Sequence, residues 1–332
     1  MNVIGLGLES SCDETAASVV KNGSEILSNI IFSQVSLHRE YSGVVPEIAS
    51  RAHLEVINGL IDTALAKAGV SFNDLNYIAA TNRPGLVGSL LVGLQTAKAI
   101  SFALDIPLIA VNHLEAHLYA AFLEGRQELR FPYIGLLASG GNTAVYEVKG
   151  IGDMECIGKT IDDAVGEAFD KVAKYLGLEY PGGPVIEKLA LDAVKKEMLF
   201  PKILTAGGDT RFSYSGIKTA VVNYINANPS ADKAEIVYAF QERALELLVR
   251  RVFAFARKRG IKRIVAAGGV AANGRLRALL SAAAAGEEII APPPALCADN
   301  GAMISGLAFH YYMRKEFDDL SVDVRSRVLE RR

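Results

Sequence analysis

The feature that most constrains this chain is that its two halves spell the same order of elements. Residues 3–8 (VIGLGL) form an apolar run that meets a small polar turn, ESSCDE, before TAASVV, the Lys21–Gly23 turn and EILSNIIF. Residues 133–138 (YIGLLA) meet a second small polar turn, SGGN, before TAVYEV, KGIGD and MECIG. Each series predicts strand, turn, strand, hairpin, strand. The agreement continues downstream. YIAAT at 77–81 precedes an amphipathic helix from about Val87 to Ala103, as RIVAA at 263–267 precedes a helix running through Leu276–Ala285. PLIAV then ends at Asn112 and enters the helix carrying His113, while EIIA ends at Pro292 before the helix that follows Asp299. The pattern predicts an α/β chain built from two duplicated α/β domains facing across a cleft. The boundaries it sets are 1–130, completed by a C-terminal helix at 300–325, and 131–299. The inserted segments Val45–Ala68, Ala164–Leu176 and Ala234–Arg259 carry helical apolar spacing.

At 332 residues the chain is long enough for two cores, and half of its residues are hydrophobic. A net charge of −2 excludes a polycation, so any nucleic-acid contact must come from a local patch. Nine Lys/Arg without an acid between Leu247 and Gly286 are the best candidate for a phosphate-backbone footprint, against the plainer reading of a solvated helix face. Three distant cysteines (Cys12, Cys156, Cys297) form no disulfide framework and no CxxC motif, which points to a reducing compartment. The start MNVIGLGLES has no basic n-region, and no run of eighteen apolar residues occurs. The expected location is cytoplasmic, with no membrane partner.

Three groups of residues could carry chemistry. His113 and His117, four apart at the start of a helix, share one face with the spacing of a two-ligand metal site. A bare HxxxH is more often a pair of ordinary helix histidines. Their place at the carboxyl end of a strand favours ligand binding, and Asp299, opening the corresponding helix of the other half, would complete a two-His, one-Asp site suited to Fe²⁺ or Zn²⁺. Next come the Gly-rich turns. Ser139-Gly140-Gly141-Asn142, Pro181-Gly182-Gly183-Pro184 with Glu187, and Gly268 to Asn273 allow close backbone approach to a phosphate or sugar. Each is also a plausible plain connector, and none is a Walker A loop. Last are the acids. Glu9, Asp13 and Glu14 flank the first turn, and IDDAVGEAFDK carries Asp162, Asp163, Glu167 and Asp170. Helix-start acids are usually caps, but Asp170 lies deep enough to hold ribose hydroxyls.

The segments LGLESSCDETAASVV, YSGVVPEIASRAHLE, RPGLVGSLLVG, VNHLEAHLYAAF, LLASGGNT, IDDAVGEAFDKVAKYLGLEYPGGP, FSYSGIKTAV, AAGGVAANGRLR and CADNGAMI, in this order, closely resemble the universal tRNA threonylcarbamoyl transferase family. Its bacterial members are the TsaD proteins, relatives of the KEOPS catalytic subunit. The likeness runs from about residue 3 to residue 312. It implies an actin-like ATPase (ASKHA) fold. It implies one divalent metal per subunit on His113, His117 and Asp299, iron first and zinc as the alternative. Leu137, Ala138, Ser139, Gly140, Gly141, Asp170, Gly183, Glu187 and Asn273 would hold an ATP- or AMP-type nucleotide moiety. Asp13 and Glu14 match acids needed at the first turn, and Ser215 and Lys218 match a motif lining the cleft. The implied reaction moves a threonylcarbamoyl group from threonylcarbamoyl-AMP to N6 of the adenosine 3′ of the anticodon, in tRNAs reading codons that begin with A. The implied partners are tRNA, a paralogous TsaB, a TsaE ATPase and a TsaC or Sua5 synthetase. One departure stands out: where the family usually has Gly before its Pro-Gly-Leu loop, this chain has Arg83.

Two rival readings differ in class. A metalloprotease of the HExxH type needs Glu directly after the first His, where this chain has Leu114; Glu115 lies about 200° round the helix from His113. A non-catalytic binder of the same fold would have no need of two histidines and an aspartate together.

Overall fold

The structure is a computed structural model that describes residues 2–38, 41, 43–202 and 211–327. In chain order its elements are β1 (Ile4–Glu9), β2 (Glu14–Lys21), β3 (Glu25–Ser33), α1 (Val35–His38), α2 (Pro46–Ala68), β4 (Tyr77–Arg83), α3 (Val87–Leu104), β5 (Leu108–Asn112), α4 (His113–Tyr119), β6 (Tyr133–Ala138), β7 (Thr143–Gly150), β8 (Asp153–Lys159), α5 (Val165–Tyr175), α6 (Gly182–Ala190), α7 (Ser215–Ala227), α8 (Lys233–Arg259), β9 (Arg263–Ala267), α9 (Gly274–Ala283), β10 (Glu288–Ile290) and α10 (Gly301–Met313). They form two compact units, one of residues 1–129 with 298–332 and one of residues 130–297.

The first unit holds a five-stranded sheet in the order β3-β2-β1-β4-β5. Its first three strands are antiparallel and β1, β4 and β5 run parallel. The sequence IGLGLE alternates along β1. Leu6 and Leu8 enter the core with Ile57, Ile61 and Leu94 of α2 and α3. Gly5, Gly7 and Glu9 take the other side of the pleat. There Gly7 lets α10 lie directly on the strand: a Cβ at Gly7 would sit 2.4 Å from Gly301 O. α3 is 18 residues long with a mean hydropathy of 1.4, enough by length and composition to cross a bilayer. Its buried residues Ser89, Leu90, Gly93, Leu94, Ala97 and Ser101 instead form the helical stripe of a core helix.

The second unit repeats the plan. Its sheet order is β10-β9-β6-β7-β8, with β6, β7 and β8 antiparallel and β6, β9 and β10 parallel. Its core joins that sheet to α5, α6 and α8, where Phe169 and Phe240 meet edge to face at 5.0 Å. α8 runs for 27 residues between an Asp232 side-chain cap and Gly260 in the left-handed region.

The expected C-terminal helix over 300–325 is shorter than the sequence suggested. It stops at Met313, and Lys315 turns left-handed (φ 58°). Beyond Met313 the chain packs in non-helical form, with Val322 and Val324 against the core of the first unit. The chain instead pairs with the edge strand β5, where Asp318 N donates to Leu108 O and Asp318 Oδ2 accepts from Ala110 N.

Candidate functional site

β5 passes into α4 without a loop. Asn112 caps the helix by accepting from Leu114 N at 3.0 Å, so His113 stands at its first position and His117 one turn on. Asp299 lies just before α10, next to the helix cap Asn300. The ligand atoms of His113, His117 and Asp299 all lie within 4.8 Å of one another, a group that could hold a metal ion. Asp299 Oδ1 is 3.0 Å from His117 Nε2 and 3.7 Å from His113 Nε2. All three residues belong to the first unit. The expectation that Asp299 would come from the rear half is therefore corrected: α10 returns to the first sheet, and the pair of glycines at 7 and 301 seats it there.

The donor set fits a metal. His117 is 2% exposed. Although its Nε2 approaches Asp299 Oδ1, the atoms lack hydrogen-bond alignment, and neither ring nitrogen has a hydrogen-bond partner among the described residues. A buried imidazole without a partner is costly, whereas two ligands of one ion approach without bonding each other. His113 differs. Its Nδ1 is 2.9 Å from Glu9 Oε2 and 3.2 Å from Ser11 Oγ. Burial works against a charge on His113, but the Glu9 and Asp299 carboxylates outweigh it and hold the imidazole at about 9. Burial likewise opposes the charge on Asp299, yet His113 and His117 bring it down to about 2.

Asp13 ends the turn after β1 and Glu14 opens β2. Burial, then Asp299 and Asp13, push the Glu14 carboxyl up to about 9. The turn is held from behind. His53 of α2, fully buried, lies 2.9 Å from Cys12 O through Nε2 and 2.7 Å from Thr15 Oγ1 through Nδ1, while Gln34 N donates to Asp13 O. Gly85 and Leu86 pack against Ser11 O, and Arg83 donates to Asn82 Oδ1 at 2.6 Å.

In the second unit, Leu137 and Ala138 end β6 and are buried. The Ser139–Asn142 turn closes through Ser139 N to Asn142 O, and Gly166 at the start of α5 lies against Ser139 O. A Cβ at Gly166 would meet that oxygen at 2.6 Å, and one at Gly268 would meet Ala138 O at 2.5 Å, so both close approaches need glycine. Asp170 Oδ1 accepts from Gly182 N at 2.7 Å, beside Gly183 at the start of α6. Glu187 Oε1 accepts from Gly274 N at 2.7 Å, and Asn273 caps α9 by accepting from Leu276 N. The residues expected around a nucleotide thus lie at the end of β6, on the turn after it, within α5 and α6, and at the cap of α9. Ser215 opens α7, and Lys218 Nζ bonds Asp163, which also holds Lys171 at 2.5 Å.

The basic stretch is largely absorbed by the fold. Arg263 pairs with Glu288, Arg275 with Glu242, Arg259 with Glu147, and Arg257 with Glu287, and Arg277 donates to the carbonyls of Ala271 and Pro292. Glu242, Glu287 and Glu288 flank the run just outside its ends and Glu147 comes from β7, so the run is acid-free along the chain but not in space. The protease reading loses its base: Glu115 is buried and accepts from Tyr311 at 3.1 Å. Sequence reasoning placed Glu9 beside the first turn without a role and passed over His53. The only signal for Glu9 was an acid ending an apolar strand.

Comparison with known proteins agrees with this geometry. The family model for TsaD, tRNA N6-adenosine threonylcarbamoyltransferase, matches residues 25–306. A relative of that name from Geotalea daltonii is 50% identical over 306 residues, covering 90% of this chain and 89% of its own. One from Treponema denticola is 49% identical over 331 residues, covering 97% and 96%. Among solved structures, full-length HypF in its phosphate- and nucleotide-bound form aligns with a TM-score of 0.64 at 16% identity, over 95% of this chain and 47% of that one. Component A of (R)-2-hydroxyglutaryl-CoA dehydratase from Acidaminococcus fermentans aligns at 0.56 and 18%, over 94% and 98%. These two show the fold, that of the actin-like ATPases, in which both units carry the same sheet. The chain belongs to the TsaD family of tRNA N6-adenosine threonylcarbamoyltransferases.

Proposed function

We infer that this chain forms N6-threonylcarbamoyladenosine in tRNA, moving the threonylcarbamoyl group from threonylcarbamoyl-AMP to N6 of the adenosine 3′ of the anticodon and releasing AMP. The observation that carries this reading is the convergence of His113, His117 and Asp299 in a chain of this family. His113, His117 and Asp299 would hold the ion, Fe²⁺ with Zn²⁺ as the alternative. When bound, such an ion supplies Lewis acidity toward a donor oxygen.

The rest is orientation. The donor is a mixed anhydride whose leaving group is a phosphate, so no covalent intermediate on the protein is required. N6 bonds to the carbamoyl carbon, the bond from that carbon to the phosphate oxygen breaks, and its electron pair leaves with AMP. The N6 proton goes to Asp13, whose turn is braced by His53 and Gln34. Gly140 and Gly141 in the Ser139–Asn142 turn, Gly183 in α6 and Gly269 ahead of α9 face open space, where a Cβ would meet nothing within 4 Å, and would let the AMP moiety approach the backbone. Asp170, Glu187 and Asn273 hold those segments in place. Ser215 and Lys218 belong to the same substrate-binding assignment. We assign TsaB, TsaE and a TsaC- or Sua5-type synthetase as partners, and the cytoplasm as the location, on the family relationship and the free cysteines.

The test is single-turnover transfer from preformed threonylcarbamoyl-AMP to tRNA in the presence of the partner proteins, read as the mass of the modified nucleoside. His117→Ala and Asp299→Asn are expected to abolish transfer, and Asp13→Asn to slow it at least about 100-fold. Full activity of Asp299→Asn would remove the metal centre from the reaction, and full activity of Asp13→Asn would remove the assigned base.

A further inference from the structure

We propose that Glu9 is the positioning residue of the metal centre: its carboxylate fixes the proton of His113 on Nδ1 and so turns the Nε2 lone pair toward Asp299 and the ion. The proposal rests on the metal reading above and extends it to a residue outside the ligand set.

Glu9 ends β1 and is 0% exposed. A carboxylate buried this completely must be fully paired, and each of its partners is visible. Oε1 accepts from Ser11 N at 2.6 Å. Oε2 accepts from Thr81 Oγ1 at 2.5 Å and lies 2.9 Å from His113 Nδ1. An ionised carboxylate only accepts, so the ring nitrogen facing it must carry hydrogen. In the neutral imidazole the lone pair then falls on Nε2, the atom that faces Asp299 Oδ1. Partners of this kind orient a ligating histidine and raise its basicity.

Three strands of the sheet build the contact. β1 and β5 flank β4, so Glu9, Thr81 and the β5–α4 junction meet at one edge. The β4–β5 register slips between Thr81 and Arg83 just beyond that meeting point. The two histidines are therefore not equivalent. His113 is held by a carboxylate, while His117 Nδ1 has no hydrogen-bond partner among the described residues and is placed by burial alone. Sensitivity to loss of an outer partner should fall on the His113 side.

The experiment uses the full chain, stripped with a chelator and titrated with Zn²⁺ against a competing chromophoric chelator. Glu9→Gln keeps the shape and removes the charge, and its amide can face Nδ1 with a donor. Zn²⁺ affinity is expected to fall about 10- to 100-fold. Glu115→Gln neutralises another buried carboxylate on α4, one held by Tyr311, and is expected to stay within about threefold of wild type. Imidazole ¹⁵N NMR on the Zn²⁺-loaded wild type gives a measurement independent of any variant, with His113 expected to carry its proton on Nδ1. Wild-type affinity in Glu9→Gln, an equal loss in Glu115→Gln, or metal on Nδ1 of His113 would each overturn the proposal while leaving the metal centre standing. Absence of Zn²⁺ binding by the wild type would bring down the metal reading and the role of Glu9 together.

Discussion

Replacing Gly7 by Ala tests whether the candidate metal centre depends on how closely α10 lies on β1. A methyl carbon at position 7 would sit 2.4 Å from Gly301 O, 2.5 Å from Ser305 N and 2.8 Å from Ser305 Cβ. Two of these atoms are helix backbone, so no flexible side chain can swing aside. Ordinary contact begins at 3.4 Å, so α10 must retreat by about 1 Å or the strand must buckle. Overpacking of this size costs about 1–3 kcal/mol. Asp299 is two residues from Gly301 and moves with the helix start. Metal–ligand distances tolerate only about 0.2 Å, so the carboxylate would leave the position that now puts Oδ1 3.0 Å from His117 Nε2. The expected result is a folded protein with a lowered melting temperature and Zn²⁺ affinity reduced about 10- to 100-fold, comparable to losing an outer-shell partner. Chelator competition reads the affinity and circular dichroism reads the fold. A folded Gly7→Ala protein with wild-type melting and wild-type Zn²⁺ affinity would refute the claim that this glycine contact sets the position of Asp299.

Two further outcomes follow from interactions away from the ligands. His53→Ala leaves Thr15 Oγ1 and Cys12 O without their partner inside the fold. It is expected to lower stability by about 2–5 kcal/mol in urea unfolding, with partial recovery in His53→Gln, and a change below about 1 kcal/mol would contradict the brace. Glu235 accepts from the backbone N–H groups of Val194, Lys195 and Lys196, which, against the opposing effect of burial, hold its carboxyl below the usual 4.5. Because its folded value is depressed, its stabilisation is complete above pH 4.5 and disappears as pH falls through the lower folded value. The difference in unfolding midpoint between wild type and Glu235→Gln should therefore be present at pH 6 and shrink as pH falls below 4.5; a gap independent of pH would show that the ionised form is not what matters.

Much of the candidate site was legible before any coordinates. The i,i+4 spacing of His113 and His117 after a buried strand is local, and the helix period alone puts both rings on one face. The Gly-rich turns and their following helices were equally local. Glu9 was not legible as a partner of His113, because 104 residues separate them and only the β1–β4–β5 pairing brings them together. Nor could the sequence show which side chains of the basic run from Arg250 to Arg277 are paired, since the ion pairs with Glu147, Glu242 and Glu288 are set by the fold.

By itself the sequence determined the repeated strand and helix order, the segments that carry chemistry and the family. These follow from side-chain periodicity and turn chemistry within a few residues, which act before any long-range contact forms. Only the tertiary structure decided that Asp299 joins the histidines within one unit, that α10 ends at Met313, and that Glu9 rather than solvent faces His113 Nδ1. Each depends on sheet register and on the close seating of α10 over Gly7, and register is set by burial summed over whole strands rather than by any one residue.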